Sequence, residues 1–375
     1  MSLTEKTMKK LVFHSDLLKN GSQYSKDFSL PDYIYRADGS LDREAMLDVV
    51  QREEYGRVSA EGVRSWVEVE FDRPDKPYRY YAGKCEAYKR FRFYFEKNGD
   101  QASFPVHLFL PTTTEEIPVV VALNFAVSIE RSFLPTEELM ERKVGVATVD
   151  FNDITMDNND FESGIARLLT DRTDPHAPGK VAIWAFAAQQ IGHYLVDNGY
   201  VKSEDLYVSG HSRLGKTALL AAAQDTVFAG VLCNNSGCSG AAISRETTGE
   251  TIERIFRNFP FFSNLHYQKY ADNEDAMPFD QHWLLALVAP RKLCVIANEL
   301  DRWADTQAQY LACEAASVAY EKSGVVGLDR PFGGLPPVGG KSIKGNIAFF
   351  HCPGPHYLGR DNWHFFIDFI KNENQ

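Results

Sequence analysis

The residues able to do chemistry gather in a few short stretches, of which DLYVSGHSRLGKTALL (205–220) is the most telling. A serine hydroxyl is a weak nucleophile. It becomes a strong one where the chain turns sharply enough to lift Oγ clear of a sheet, within reach of a base and beside the positive end of a helix. Here an apolar strand runs into Gly210-His211-Ser212-Arg213-Leu214-Gly215-Lys216 and on into Thr217-Ala218-Leu219-Leu220-Ala221-Ala222-Ala223, a strong helix former. Gly210 and Gly215 flank Ser212, which makes Ser212 the candidate nucleophile. Leu214 fills the second-glycine position of the common G-x-S-x-G elbow, and the glycine comes one residue later.

A nucleophile on such a turn calls for an acid after a later strand and a histidine after the last one. The last apolar run, IAFFHCPG, opens into Gly354-Pro355-His356-Tyr357-Leu358-Gly359, so His356 is the candidate base on a loop. His351 is the rival, but falls within the strand. His107, His193 and His364 read as structural histidines. The run 292–298 ends in Asn298-Glu299-Leu300-Asp301-Arg302-Trp303-Ala304-Asp305, with three carboxylates between 299 and 305. Such a cluster is often only solvated. Its place after this strand makes Asp301 the first choice for the acid, with Glu299 next; the task is to hold the imidazole tautomer and stabilise imidazolium.

The elements that must position these groups follow from periodicity. Residues 1–60 are polar and irregular, with a helix expected over LDREAMLDVVQREEYG. Alternation from Phe91, through Asn98-Gly99, predicts a hairpin. The near-continuous apolar runs 117–125 and 144–152 predict strands buried on both faces of a parallel sheet. Further strands are expected at 205–209, 230–234, 292–298 and 347–352. Helices are expected at 181–199, with Gly199 as C-cap, and at 213–225, 305–323 and 361–372. The pattern predicts one doubly wound α/β domain with an antiparallel N-terminal edge; with Ser212 on the elbow as nucleophile, the expectation is an α/β-hydrolase fold, a three-layer sandwich with a mainly parallel central sheet. Residues 1–60 are expected to form an extension packed on a single catalytic domain, 61–375. Segment 330–342, RPFGGLPPVGGKS, reads as a surface loop or a lid over a pocket.

At 375 residues, 44% hydrophobic and 13% aromatic, the chain can bury a large core. A net charge of −11 argues against nucleic acid or an anionic membrane as the main partner. No apolar run reaches the roughly 18 residues that span a bilayer. Six cysteines without C-x-x-C spacing predict buried free thiols, and no zinc-type histidine cluster or nucleotide-binding glycine loop calls for a cofactor. The start, MSLTEKTMKKLVF, lacks a signal-peptide apolar region. The expectation is an intracellular protein, or an exported one whose leader is missing; Met-Ser-Leu reads equally as a cloning remnant.

The glycine-flanked elbow, together with Asn234-Asn235-Ser236-Gly237-Cys238-Ser239-Gly240-Ala241-Ala242-Ile243-Ser244-Arg245, Gly249-Glu250, DQHWLLALVAPRKL, the cluster 299–305 and Pro353-Gly354-Pro355-His356 with Asp361-Asn362-Trp363, resembles the glucuronoyl esterases among the carbohydrate esterases, especially their bacterial branch. The resemblance implies hydrolysis of (4-O-methyl)glucuronic acid esters, the linkage between glucuronoxylan and lignin alcohols, through an acyl-enzyme and without a cofactor. It implies Ser212 as nucleophile, His356 as base and Arg213 as oxyanion stabiliser. Lys216, Glu250 and Trp303 would grip the sugar. A carbohydrate ester substrate and a monomer are expected.

One departure matters. Many members of that family carry the catalytic glutamate where this chain has Asn235, and an amide cannot stabilise imidazolium as a carboxylate does. The acid must come from elsewhere, and Asp301 matches a second acidic site of bacterial relatives. Two other readings follow: an acetyl (xylan) esterase or general carboxylesterase on the same fold, and a silent carbohydrate-binding pseudo-esterase.

Overall fold

The computed structural model describes residues 10–14, 27–73, 85–126 and 134–372. The opening Met-Ser-Leu therefore lies outside the described residues. Strands β1 (Lys10–His14) and β2 (Asp27–Pro31) form a separate antiparallel pair. Among the described residues the main sheet has ten strands. In chain order they are β3 (Arg64–Arg73), β4 (Cys85–Lys97), β5 (Asp100–Pro111), β6 (Val119–Asn124), β7 (Gly145–Asp150), β8 (Leu206–His211), β9 (Gly230–Asn234), β10 (Lys292–Asn298), β11 (Lys341–Ser342) and β12 (Ile347–Cys352). In space the order is β11-β12-β10-β9-β8-β6-β7-β5-β4-β3.

The six strands from β7 to β12 across the centre are parallel. Their apolar runs are continuous because successive side chains enter different cores. In β8, Leu206 and Val208 enter the larger core while Tyr207 enters the smaller one; in β10, Val295 and Ile296 divide the same way. The larger core is closed by α5 (Lys180–Asp197), α6 (Arg213–Gln224) and α9 (Thr306–Lys322). The smaller one is closed by α10 (Arg360–Ile370), with Trp363, Phe366 and Phe369 buried against the sheet. The result is the three-layer α/β-hydrolase arrangement with an antiparallel N-terminal edge.

That edge is built by the β4–β5 hairpin. Asn98 and Gly99 both take positive φ, as a two-residue hairpin turn requires. Strand β3, which the sequence reading did not anticipate, pairs antiparallel with β4 and lengthens the edge. The expected helix at 41–56 begins at Arg43 but widens into a π turn at Gln51–Tyr55, which turns Glu53, Glu54 and Tyr55 inward. Tyr33 and Tyr55 then donate hydrogen bonds to the carbonyls of Ala315 and Ser239. Segment 330–342 runs along the sheet edge: Gly339 N–H donates to the His351 carbonyl at 2.7 Å and His351 N–H to that of Gly340 at 3.2 Å. The rival histidine is itself held there, its Nδ1 2.8 Å from the Pro336 carbonyl. No helix among the described residues is long and apolar enough to cross a membrane.

Candidate active site

The turn at Ser212 is as tight as the sequence demands. Ser212 has φ 58° and ψ −127°, a conformation that costs an L-residue of order 1–3 kcal/mol. It is held there because its N–H donates to the Asn234 carbonyl at 2.9 Å, at the end of β9. Gly210 is obligatory: a Cβ on it would stand 2.0 Å from the Leu214 carbonyl oxygen, where the helix doubles back over the strand. The displaced second glycine has the same kind of cause. Gly215, not residue 214, faces the sheet, and a Cβ on it would lie 3.0 Å from the Asn234 carbonyl, whereas Leu214 is fully buried in the core. Arg213 opens α6, so its N–H is one of the first-turn donors a helix leaves without an internal partner.

Asp301 and His356 meet at the carboxyl ends of β10 and β12. The Asp301 Oδ2 atom is 2.5 Å from His356 Nδ1, and the aspartate side chain is 2% exposed while the imidazole is 40% exposed. Asp301 Oδ1 accepts the Ala304 N–H at 3.1 Å, which fixes the carboxylate. Glu299, the other candidate, is exposed, and Asp305 caps α9 through the Ala308 N–H. Asn235 stands between the loops: its Oδ1 accepts the Asn298 N–H at 2.8 Å and its Nδ2 donates to the Tyr357 carbonyl at 3.2 Å. His211 packs its ring 4.4 Å from that of His356. Burial, then the neighbouring His356, push the His211 imidazole down to about 4.

The three residues expected at the sugar also converge. Glu250 Oε2 accepts from Lys216 Nζ at 2.8 Å, and Glu250 Oε1 accepts from Trp303 Nε1 at 2.9 Å. Lys216 donates as well to the carbonyls of Ser236, at 2.7 Å, and of Cys238. Its three ammonium protons thus have three protein acceptors. Trp303 is 43% exposed.

One cavity of about 330 Å³ joins these groups: Ser212, Arg213, Asp301 and His356 on one side, Lys216, Glu250 and Trp303 on another. Phe259 and Phe262, which the sequence reading passed over, close it; their rings stack 4.7 Å apart at 6°. The Phe-Pro-Phe-Phe run at 259–262 was the available signal. A larger concavity, about 510 Å³ and lined by Arg245, Glu246, Asp272 and Glu274, has no serine–histidine pair. His107, His193 and His364 are engaged elsewhere by Tyr88, Asp225 and Glu138. Among the described residues no cluster of His, Cys, Asp and Glu could hold a metal ion.

Residues 94–324, well over half of the chain, match the family described as glucuronyl esterase, fungi. The chain belongs to the glucuronoyl esterase family. A prokaryotic relative, carbohydrate esterase MZ0003 from an unknown organism, is 37% identical over 240 residues, covering 63% of this chain and 55% of that protein. The 4-O-methyl-glucuronoyl methylesterase of Hypocrea jecorina is 30% identical over 193 residues, 48% of this chain and 42% of its own length. The chain thus spans about half the length of these curated relatives. Among solved structures, a glucuronoyl esterase from Solibacter usitatus superposes with a TM-score of 0.80 at 26% identity, covering 93% of this chain and 98% of that one. A glucuronoyl esterase from Teredinibacter turnerae gives the same TM-score and identity over 92% and 89%. The match to the family spans the elbow, the Asn235 loop and Asp301, and ends before His356.

Proposed function

We propose that this protein is a serine esterase that hydrolyses esters of (4-O-methyl)glucuronic acid through an acyl-enzyme. The observation that carries the reading is the 2.5 Å contact of His356 Nδ1 with buried Asp301, in the same cavity as Ser212. Asp301 fixes Nδ1 as the protonated nitrogen and leaves Nε2 as the base. The base takes the Ser212 Oγ proton as Oγ attacks the uronate carbonyl carbon. The carbonyl electron pair moves onto oxygen, where the Arg213 N–H and guanidinium stabilise it. Collapse expels the alkoxide, which takes the proton from His356. Water, deprotonated by the same nitrogen, then releases the uronic acid and restores the Ser212 hydroxyl.

On the opposite wall, the Trp303 indole and the Glu250 carboxylate offer a sugar a stacking face and hydroxyl acceptors. Lys216, with its protons committed, works through Glu250 by fixing that carboxylate. The net charge of −11 supports a neutral or sugar-derived substrate over nucleic acid. The test is hydrolysis of benzyl or methyl glucuronate against an aryl acetate. The wild type is expected to prefer the glucuronate, and Ser212→Ala to abolish turnover. A preference for acetate would make the protein a general esterase or deacetylase, and activity surviving Ser212→Ala would remove the serine mechanism.

A further inference from the structure

Arg213 does not reach the cavity as a loose side chain. Its Nη1 donates to Asp157 Oδ2, and both side chains are about one-fifth exposed. The guanidinium lies 4.7 Å from the centre of the Phe259 ring and 5.1 Å from that of Phe262. Its Nε is sealed from solvent without a hydrogen-bond partner, and so is Asp157 Oδ1. Among the described residues Nη2 has no acceptor, which leaves it as the nitrogen available to a ligand.

A carboxylate beside an oxyanion donor opposes the charge that donor is meant to stabilise, so a buried one needs an offsetting benefit. The turn that carries Asp157 is built to deliver it. Asp157 N–H donates to Asn152 Oδ1 at 3.0 Å. Fully buried Lys180, the first residue of α5, donates to Thr155 Oγ1 at 2.6 Å and to the Asp160 carbonyl at 2.5 Å. Trp184 Nε1 donates to the Thr155 carbonyl at 3.1 Å. An arginine side chain has many rotamers, and a fixed carboxylate on one edge and two rings against one face remove that freedom before substrate arrives.

We infer that Asp157 is a positioning residue: it locks the Arg213 guanidinium against Phe259 and Phe262 so that Nη2 meets the oxyanion. The inference rests on the serine-esterase reading above. Burial drives the Asp157 carboxyl upward against the pull of Arg213, in keeping with a pair retained for geometry rather than for stability.

The test is a double-mutant cycle on Asp157 and Arg213, measuring kcat and KM separately with benzyl glucuronate and with an aryl acetate. Asp157→Asn is expected to lower kcat roughly 10- to 100-fold, less than the loss from deleting an oxyanion donor outright, with KM within about twofold. In an Arg213→Ala background the same change should cost nothing further. Asp157→Glu, which keeps the charge and guards against misfolding of the amide variant, should fall between the wild type and Asp157→Asn. Wild-type kcat in Asp157→Asn, an effect confined to KM, or losses that multiply in the double mutant would each overturn the inference. If the wild type cleaves acetate but not glucuronate, the substrate reading fails and the cycle on acetate still judges Asp157; if it cleaves neither, both fall.

Discussion

Asp301 stands 55 residues before its histidine, yet the parallel pairing of β10 with β12 brings the ends of the two strands together. At this scale burial favours Asp301 over Glu299 as the proposed acid: Asp301 is sealed and oriented by the Ala304 N–H, whereas Glu299 is in solvent. Asp301→Asn is expected to lower kcat by roughly 10⁴, as when a triad acid becomes an amide, while Glu299→Gln leaves it unchanged. Steady-state kinetics on a glucuronate ester checks both; a slow Glu299→Gln with a normal Asp301→Asn would reverse the assignment. The proposed triad of Ser212, His356 and Asp301 could be picked from the sequence because this fold lays out nucleophile, acid and base in a fixed chain order. Lys216 could be named too, but not that its protons are spent on protein acceptors. Asp157 could not. It lies 56 residues before Arg213, and no spacing rule links a residue on a distant turn to the first residue of a helix.

Among the elements, the elbow tolerates least. Because a Gly210 Cβ would fall 2.0 Å from the Leu214 carbonyl, Gly210→Ala must push α6 off β8. We expect it to destabilise the protein by about 1–3 kcal/mol, the usual cost of overpacking, and to remove most activity by moving Ser212. Urea unfolding and turnover measured together check this, and unchanged values for both would mean that the elbow has slack. The central strands and long helices were legible because runs such as Val119–Asn124 and Lys292–Asn298 have no competing reading once flanked by turn residues. Strand β3 was passed over although Trp66-Val67-Glu68-Val69-Glu70-Phe71 alternates, a spacing that would set Val67, Val69 and Phe71 on one face; in the fold Val69 and Phe71 stay open to solvent. The π turn at Gln51–Tyr55 was illegible for a different reason: nothing local favours it, and it exists to carry Glu53, Glu54 and Tyr55 into contacts far along the chain.

For the molecule as a whole, buried ionisable groups set the response to pH. Burial pushes the His107, His211 and His282 imidazoles from 6.5 down to about 4. The unfolded chain therefore binds more protons between those values, and stability falls as pH drops from about 6.5 toward 4. Glu54 works the other way: burial lifts its carboxyl from 4.5 to about 7, so its contribution is fully present below about 4.5 and is lost as pH rises toward 7. Glu54→Gln should therefore raise the melting temperature at pH 8 relative to the wild type, with the gain shrinking as pH approaches 4.5. Melting curves at pH 5 and pH 8 check it, and a gain independent of pH would show that Glu54 does not titrate in this way. The amide of Asn235 also acts beyond its own loop. It joins three strand-end loops, from residues 235, 298 and 357, by accepting on one atom and donating on the other. A glutamate there is longer and offers no donor, so a one-letter change to the usual acid would break the splice before supplying a new partner for His356. Moving the proposed acid from 301 to 235 therefore requires changes at both positions and in the loops that Asn235 ties together.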